Sequence, residues 1–161
     1  MASAAACIFC KIIKGKFNKI PTLIAPVTLP RRLANSPRPG EIPSMKLFES
    51  EKVFAFLDIG PLSKGHALVI PKFHGAKLTD IPDDELTEVL PTLKKLIKAS
   101  GATDYNILQN NGTIAHQQVH HVHFHMIPKP NETEGLGIRW PTQEADMDQL
   151  KALCEDIKSR I

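Results

Sequence analysis

His120-His121-Val122-His123-Phe124-His125-Met126-Ile127 is the stretch whose period decides how the chain is read. Successive side chains of a β-strand point to opposite faces, so His121, His123 and His125 share one surface while Val122, Phe124 and Met126 share the other. A strand of this kind is pinned to a core through its apolar face and leaves its imidazoles open to a ligand. Imidazole titrates near neutrality and serves as nucleophile, general acid or base, or metal ligand. One histidine in a strand is most often structural, whereas three in strict alternation point to chemistry.

The chain of 161 residues, 42% hydrophobic, is long enough for one domain with a core and too short for two of ordinary size. Its net charge of +3 is unevenly spread. Residues 16–40 hold Lys16, Lys19, Arg31, Arg32 and Arg38 and no acid, a local +5 that leaves −2 for the rest. A slightly acidic remainder argues against an extended nucleic-acid surface. Three cysteines, Cys7, Cys10 and Cys154, without a signal-like start, suit a reducing, intracellular compartment rather than a disulfide framework. No apolar run approaches the roughly 20 residues of a membrane span.

Around the histidine stretch the chain alternates strand and helix patterns. Apolar residues at 8, 9, 12 and 13 before Gly15 predict a short helix. Lys46–Glu49, Val53–Leu57, His66–Pro71 and Tyr105–Gln109 read as strands whose hairpin-like order favours an antiparallel sheet. From Thr79 to Gly101 the period is helical, with Asp83, Asp84 and Glu85 at the positive end and Lys94, Lys95 and Lys98 at the negative end. Leu86, Val89, Leu90, Leu93, Leu96 and Ile97 form the stripe to be buried, and Pro91 falls where it should kink one long helix. Met147, Leu150, Leu153 and Ile157 predict a C-terminal helix over 146–161, after an extended stretch with Trp140 as a candidate anchor.

His121 to Ile127 resembles the histidine triad motif, and the resemblance to the histidine triad (HIT) superfamily extends to Cys7-Ile-Phe-Cys-Lys-Ile-Ile13, Glu41-Ile-Pro43, Phe56-Leu-Asp-Ile59, Gly65 to Lys72 and Gln109-Asn-Asn-Gly112, in the family's order. It is nearest to the nucleotide-binding branch that hydrolyses adenosine phosphoramidates. The resemblance implies an α+β fold with a five-stranded antiparallel sheet, one long helix and short terminal helices, two such domains pairing into a ten-stranded homodimer. It also implies a purine nucleotide of the AMP type as substrate, with no cofactor required for catalysis and a cytoplasmic or nuclear location. By family position His123 is the nucleophile, His121 orients it, His125 meets the phosphate and His66 completes the network. The nucleotide would lie against Ile8, Phe9, Ile12, Phe56 and Ile59, with Asp58 on the ribose and Asn110, His116, Gln117 and Gln118 near the phosphate. Gln118 departs from the family, which has a hydroxyl there able to pass a proton to the leaving group; an amide is a poor acid. Cys7, Cys10, His74 and His121 match a zinc site of some relatives. Dinucleoside polyphosphate hydrolysis and a nucleotide-binding regulatory scaffold are the rival functions.

Residues 16–40 interrupt the resemblance, carry five of the thirteen prolines and show no sustained period, so they are expected to be disordered. Removing them joins Lys-Ile-Ile-Lys-Gly15 to Glu41-Ile-Pro43, as in relatives. Gly15-Lys-Phe17 can be encoded with GTAAGTT, Leu33-Ala-Asn35 with GCTAAC and Pro39-Gly40 with CAG, which resemble the donor, branch and acceptor sites of a short fungal intron. Against the rival reading of a genuine basic loop, the segment therefore reads as a retained intron or a splice variant. Transcripts spanning codons 15 to 41 should include a form lacking it, and transcripts that all contain it would refute this reading.

Overall fold

The computed structural model describes residues 3–15 and 44–161; the expectation for 16–40 lies outside the described residues. Helix α1 spans Ile8–Ile13 and strands β1, β2 and β3 span Lys46–Glu49, Val53–Leu57 and Ala67–Pro71. A 3-10 turn at Leu78–Asp80 leads into α2 (Asp83–Leu86) and α3 (Val89–Ser100), followed by β4 (Tyr105–Gln109), a second 3-10 turn at Thr113–Ala115, β5 (Phe124–Pro128) and α4 (Met147–Lys158). The five strands form one antiparallel sheet in the order β1-β2-β3-β5-β4. The α+β, five-stranded architecture expected from the sequence is the one observed.

Period-two alternation splits the core between the two faces of this sheet. Val53, Ala55, Ala67, Val69 and Met126 pack with Val89 and Leu93 of α3 on one face. Phe54, Phe56, Leu68 and Ile70 pack with Cys7, Phe9, Cys10 and Ile12 at α1 on the other. His125 is registered between Leu68 of β3 and Leu108 of β4. Its imidazole therefore belongs to the α1 face, while Met126 beside it anchors the strand to α3.

The helical region departs from the sequence expectation in two ways. The single helix expected from Thr79 is broken into a 3-10 turn and two helices, and Pro91 does not lie mid-helix. It is the third residue of α3, in the first turn, where a missing N–H costs no intrahelical bond. Leu90 of the expected buried stripe is 60% exposed, because restarting the helix at Val89 leaves Leu93 as the fully buried contact with the sheet. In α4, Asp146 is the N-cap and accepts from the N–H groups of Asp148 and Gln149. Its stripe of Met147, Leu150, Leu153 and Ile157 is nevertheless exposed, and so is Trp140, which anchors nothing among the described residues.

Candidate active site

The histidine stretch is only half strand. β5 begins at Phe124, because the N–H of His121 bonds back to the Val119 carbonyl at 2.8 Å and that of Val122 is taken by the Gly75 carbonyl at 2.8 Å. The backbone turns out of the ladder at that point. His121 therefore diverges from the other two histidines instead of standing in line with them; His120, which alternation places on the face of Val122 and Met126, is exposed, and Ile127, which alternation places on the histidine face, is buried with them.

His123 is held by one bond. Its Nδ1 lies 2.6 Å from the His121 carbonyl oxygen, an atom that can only accept, so Nδ1 carries the proton and Nε2 keeps its lone pair. Burial lowers the pKa of His123, against the opposing pull of its hydrogen bond and of Asp58, which leaves the ring neutral at pH 7. A neutral imidazole with one nitrogen fixed and the other presenting its lone pair is a nucleophile in the correct tautomer.

A second chain of bonds sets His125 the opposite way. The backbone N–H of Leu62 donates to Nδ1 of His66 at 3.2 Å, which places the His66 proton on Nε2. That nitrogen is 2.9 Å from Nδ1 of His125, so His66 donates and His125 accepts. The remaining proton of a neutral His125 sits on Nε2, a donor for a ligand atom. Burial first, then the charges His123 and His66 would carry, push the His125 pKa down to about 4, and burial also lowers His66 against Asp58, whose Oδ2 lies 3.7 Å away. His123 and His125 stack edge to face with ring centroids 5.0 Å apart. The pair thus presents one lone pair and one N–H side by side.

These rings line a cleft of about 560 Å³, large enough for a nucleotide. Of the residues singled out from the sequence, Ile8, Phe9, Ile12, Phe56, Asp58, Ile59, Asn110, His116, Gln118, His66, His123 and His125 all line it. Among the described residues Asp58 is the one carboxylate that lines it, and neither lysine nor arginine does. His116 adopts φ 63°, a left-handed conformation uncommon outside glycine, at the end of the Thr113–Ala115 turn.

Two expected roles change. Gln117 was expected at the phosphate, but its buried side chain accepts from the Gly112 N–H at 2.7 Å and donates to the Ala76 carbonyl at 2.6 Å, so its amide pins the loop. His121 was expected to orient the nucleophile through its ring. The ring is engaged elsewhere, and the backbone carbonyl does the orienting. Its Nε2–H donates to the Pro71 carbonyl at 2.8 Å, which leaves the Nδ1 lone pair facing Cys7 Sγ at 3.5 Å, Cys10 Sγ at 3.6 Å and His74 Nδ1 at 3.2 Å. One residue can therefore serve both the nucleophile and a metal cluster.

The ligand atoms of Cys7, Cys10, His74 and His121 all lie within 4.8 Å of one another. Tetrahedral zinc with Zn–S of about 2.3 Å and Zn–N of about 2.05 Å spaces S and N by about 3.5 Å and N and N by about 3.3 Å. The three S···N distances of 3.4, 3.5 and 3.6 Å and the N···N distance of 3.2 Å match those edges. Burial first, and the neighbouring Cys7 second, push the Cys10 thiol up to about 11, so that thiol stays protonated until a cation draws the proton off. The donor set and its spacing fit zinc.

The His121 carbonyl, the Pro71 carbonyl and the Leu62 N–H, which set the tautomers of His123, His121 and His66, were not visible in the sequence, because backbone groups carry no residue signature. Leu68 and Leu108, also lining the cleft, could have been found by registering the strands on His125.

Fold and cleft together define a small α+β protein that presents paired histidines to a nucleotide-sized ligand. The HIT domain family profile matches residues 39–132, and the chain belongs to that family. It is 49% identical over 157 residues to adenosine 5'-monophosphoramidase of Saccharomyces cerevisiae, covering 98% of this chain and 84% of the relative. To the enzyme of the same name in Schizosaccharomyces pombe it is 48% identical over 156 residues, covering 97% and 98%. The crystal structure of a histidine triad nucleotide-binding protein from Candida albicans superposes with a TM-score of 0.77 at 46% identity over 96% of each chain. A Zn-bound histidine triad family protein from Mycobacterium smegmatis superposes with a TM-score of 0.62 at 27% identity, covering 99% of this chain and 100% of the other.

Because His125 stays neutral in the folded chain down to about 4, whereas an unfolded histidine takes its proton near 6.5, the unfolded state binds more protons between those values. Stability therefore falls as pH falls through that window. Urea titrations at about pH 7 and about pH 5 should show this loss, and His125→Gln should make it smaller. An equal loss in the variant would contradict the assignment of His125 as a buried neutral imidazole.

Proposed function

We propose that this protein is a hydrolase of AMP joined to an amine, of the adenosine 5'-monophosphoramidase type, working through a nucleotidyl-histidine at His123. The observation that carries the proposal is the 2.6 Å bond that fixes Nδ1–H of His123 and leaves Nε2 as a neutral lone pair in the cleft. The curated fungal relatives named for this activity support it over nearly the whole chain.

In the first step Nε2 of His123 attacks phosphorus, a P–N bond to His123 forms and the P–N bond to the amine breaks. The imidazole becomes cationic, and Nδ1 keeps its proton and its hydrogen bond to the His121 carbonyl. His125 donates its Nε2–H to a non-bridging phosphate oxygen as charge gathers there. Gln118, exposed at the cleft, hydrogen-bonds the departing nitrogen. An amide yields no proton at neutral pH, so the proton leaving with the amine comes from water. Water then attacks the phosphorus and gives a proton to the hydroxide left by the first step, the P–N bond to His123 breaks, AMP is released and neutral imidazole is regenerated. Ile8, Phe9, Ile12, Phe56 and Ile59 form the apolar slot for the base, and Asp58 accepts from the ribose hydroxyls. The N–H groups of Gln118 and Val119, which bond to no carbonyl among the described residues, are the available backbone donors to phosphate.

Zinc is proposed as a structural ion held by Cys7, Cys10, His74 and His121, on the strength of the spacing. A homodimer through α3 and the edge strand β4 is proposed because Leu90, Tyr105 and Ile107 are exposed there. A reducing, intracellular setting suits three free thiols.

Adenosine 5'-phosphoramidate should be cleaved at least about tenfold faster than a diadenosine polyphosphate, a gap of about 1.4 kcal/mol in barrier. The reverse preference would move the assignment to dinucleoside polyphosphate hydrolysis. Binding of AMP without turnover of either compound would favour a regulatory scaffold.

A further inference from the structure

α1 carries parts of two sites at once. Cys7 and Cys10 belong to the metal cluster, while Ile8, Phe9 and Ile12 form one wall of the cleft. Phe9 lies between them in space as well as in sequence: its ring meets His121 edge-on at 5.8 Å, His123 at 5.2 Å and Phe56 at 5.9 Å. A helix of six residues does not persist by its own hydrogen bonds. Cys7, at the N-cap, makes no capping bond, so α1 forgoes the usual N-terminal support at the position that supplies a thiol. Its placement rests on apolar contacts and on whatever joins the two thiols to the sheet.

The second link runs through His121. Its ring is a cluster member, and its carbonyl is the group that fixes the His123 tautomer. A cation bound by the four residues would fix the slot wall through α1 and the nucleophile through His121. The core on the α3 face, Val53, Ala55, Ala67, Val69, Val89, Leu93 and Met126, contains none of these residues. That half of the core is built without any cluster residue.

We propose that cation occupancy of the Cys7–Cys10–His74–His121 cluster regulates the nucleotide site: the loaded chain binds AMP tightly with His123 oriented, and the metal-free chain stays folded but loses both properties. Zinc is the cation class that the spacing selects. The inference rests on the proposed function only for the choice of AMP as probe.

The experiment compares the full-length chain loaded with zinc against the same chain stripped by a chelator. Circular dichroism should show both folded. AMP should bind the stripped chain at least about fivefold more weakly, and by linkage AMP must tighten zinc binding by the same factor. The Nδ1 proton of His123, followed in an imidazole nitrogen correlation spectrum, should be protected from exchange with zinc and lose that protection without it. His74→Ala, which removes a cluster ligand outside the cleft lining, should move AMP affinity the same way at fixed zinc. Equal AMP affinity in the two states, unfolding of the stripped chain, or failure to bind zinc would each overturn the proposal. Absence of turnover in the zinc-loaded chain would instead overturn the phosphoramidase reading and leave the zinc dependence of AMP binding to stand or fall separately.

Discussion

The bond from Nδ1–H of His123 to the carbonyl of His121 is the constraint on which the rest of the site depends. A histidine free to choose its tautomer would present a lone pair to the cleft only part of the time, and a rotated ring would not present it at all. A backbone carbonyl removes that choice because it accepts and never donates. It can do so because the chain leaves the sheet at His121, so that the carbonyl faces the next histidine instead of entering the ladder. The histidine motif is thus a strand from Phe124 preceded by a bent segment at His121–His123, and the bend supplies the bond.

His125 is set by the complementary device. The N–H of Leu62 fixes His66, and His66 fixes His125, so two adjacent imidazoles of the same residue type end with opposite polarity toward the ligand. Burial keeps both neutral, which lets one act as a nucleophile and the other as a hydrogen-bond donor at the same pH. Among the described residues the cleft lining holds no lysine or arginine, so on the proposed mechanism they meet phosphate with neutral donors, and charge is stabilised as it develops rather than when the substrate first binds.

Much of the fold was legible because it follows from side-chain period. Phe54 and Phe56 against Val53 and Ala55, and Leu68 and Ile70 against Ala67 and Val69, sort onto opposite faces as alternation demands. The cleft residues were legible chiefly through the resemblance to known histidine triad sequences; from period alone Ile8, Phe9, Ile12, Phe56 and Ile59 would have been assigned to the core, and Phe9, Ile12 and Phe56 are indeed buried, whereas Ile59 is exposed. What stayed hidden depends on backbone direction. The break before Val89 was masked by a helical stripe that runs on across it, and the role of Gln117 was masked because an amide reads the same whether it faces a phosphate or a loop. The tautomers of His121, His123 and His125 are each decided by a backbone atom or by another histidine's tautomer, which no residue spacing encodes.

The most direct test of the nucleophile assignment is mass analysis of the protein quenched within one turnover of an adenylated amine, with the modified peptide sequenced by fragmentation. Attack by Nε2 of His123 predicts one AMP moiety on His123 and none on His121 or His125. An adduct on His125, or turnover with no protein-bound AMP at any quench time, would contradict it.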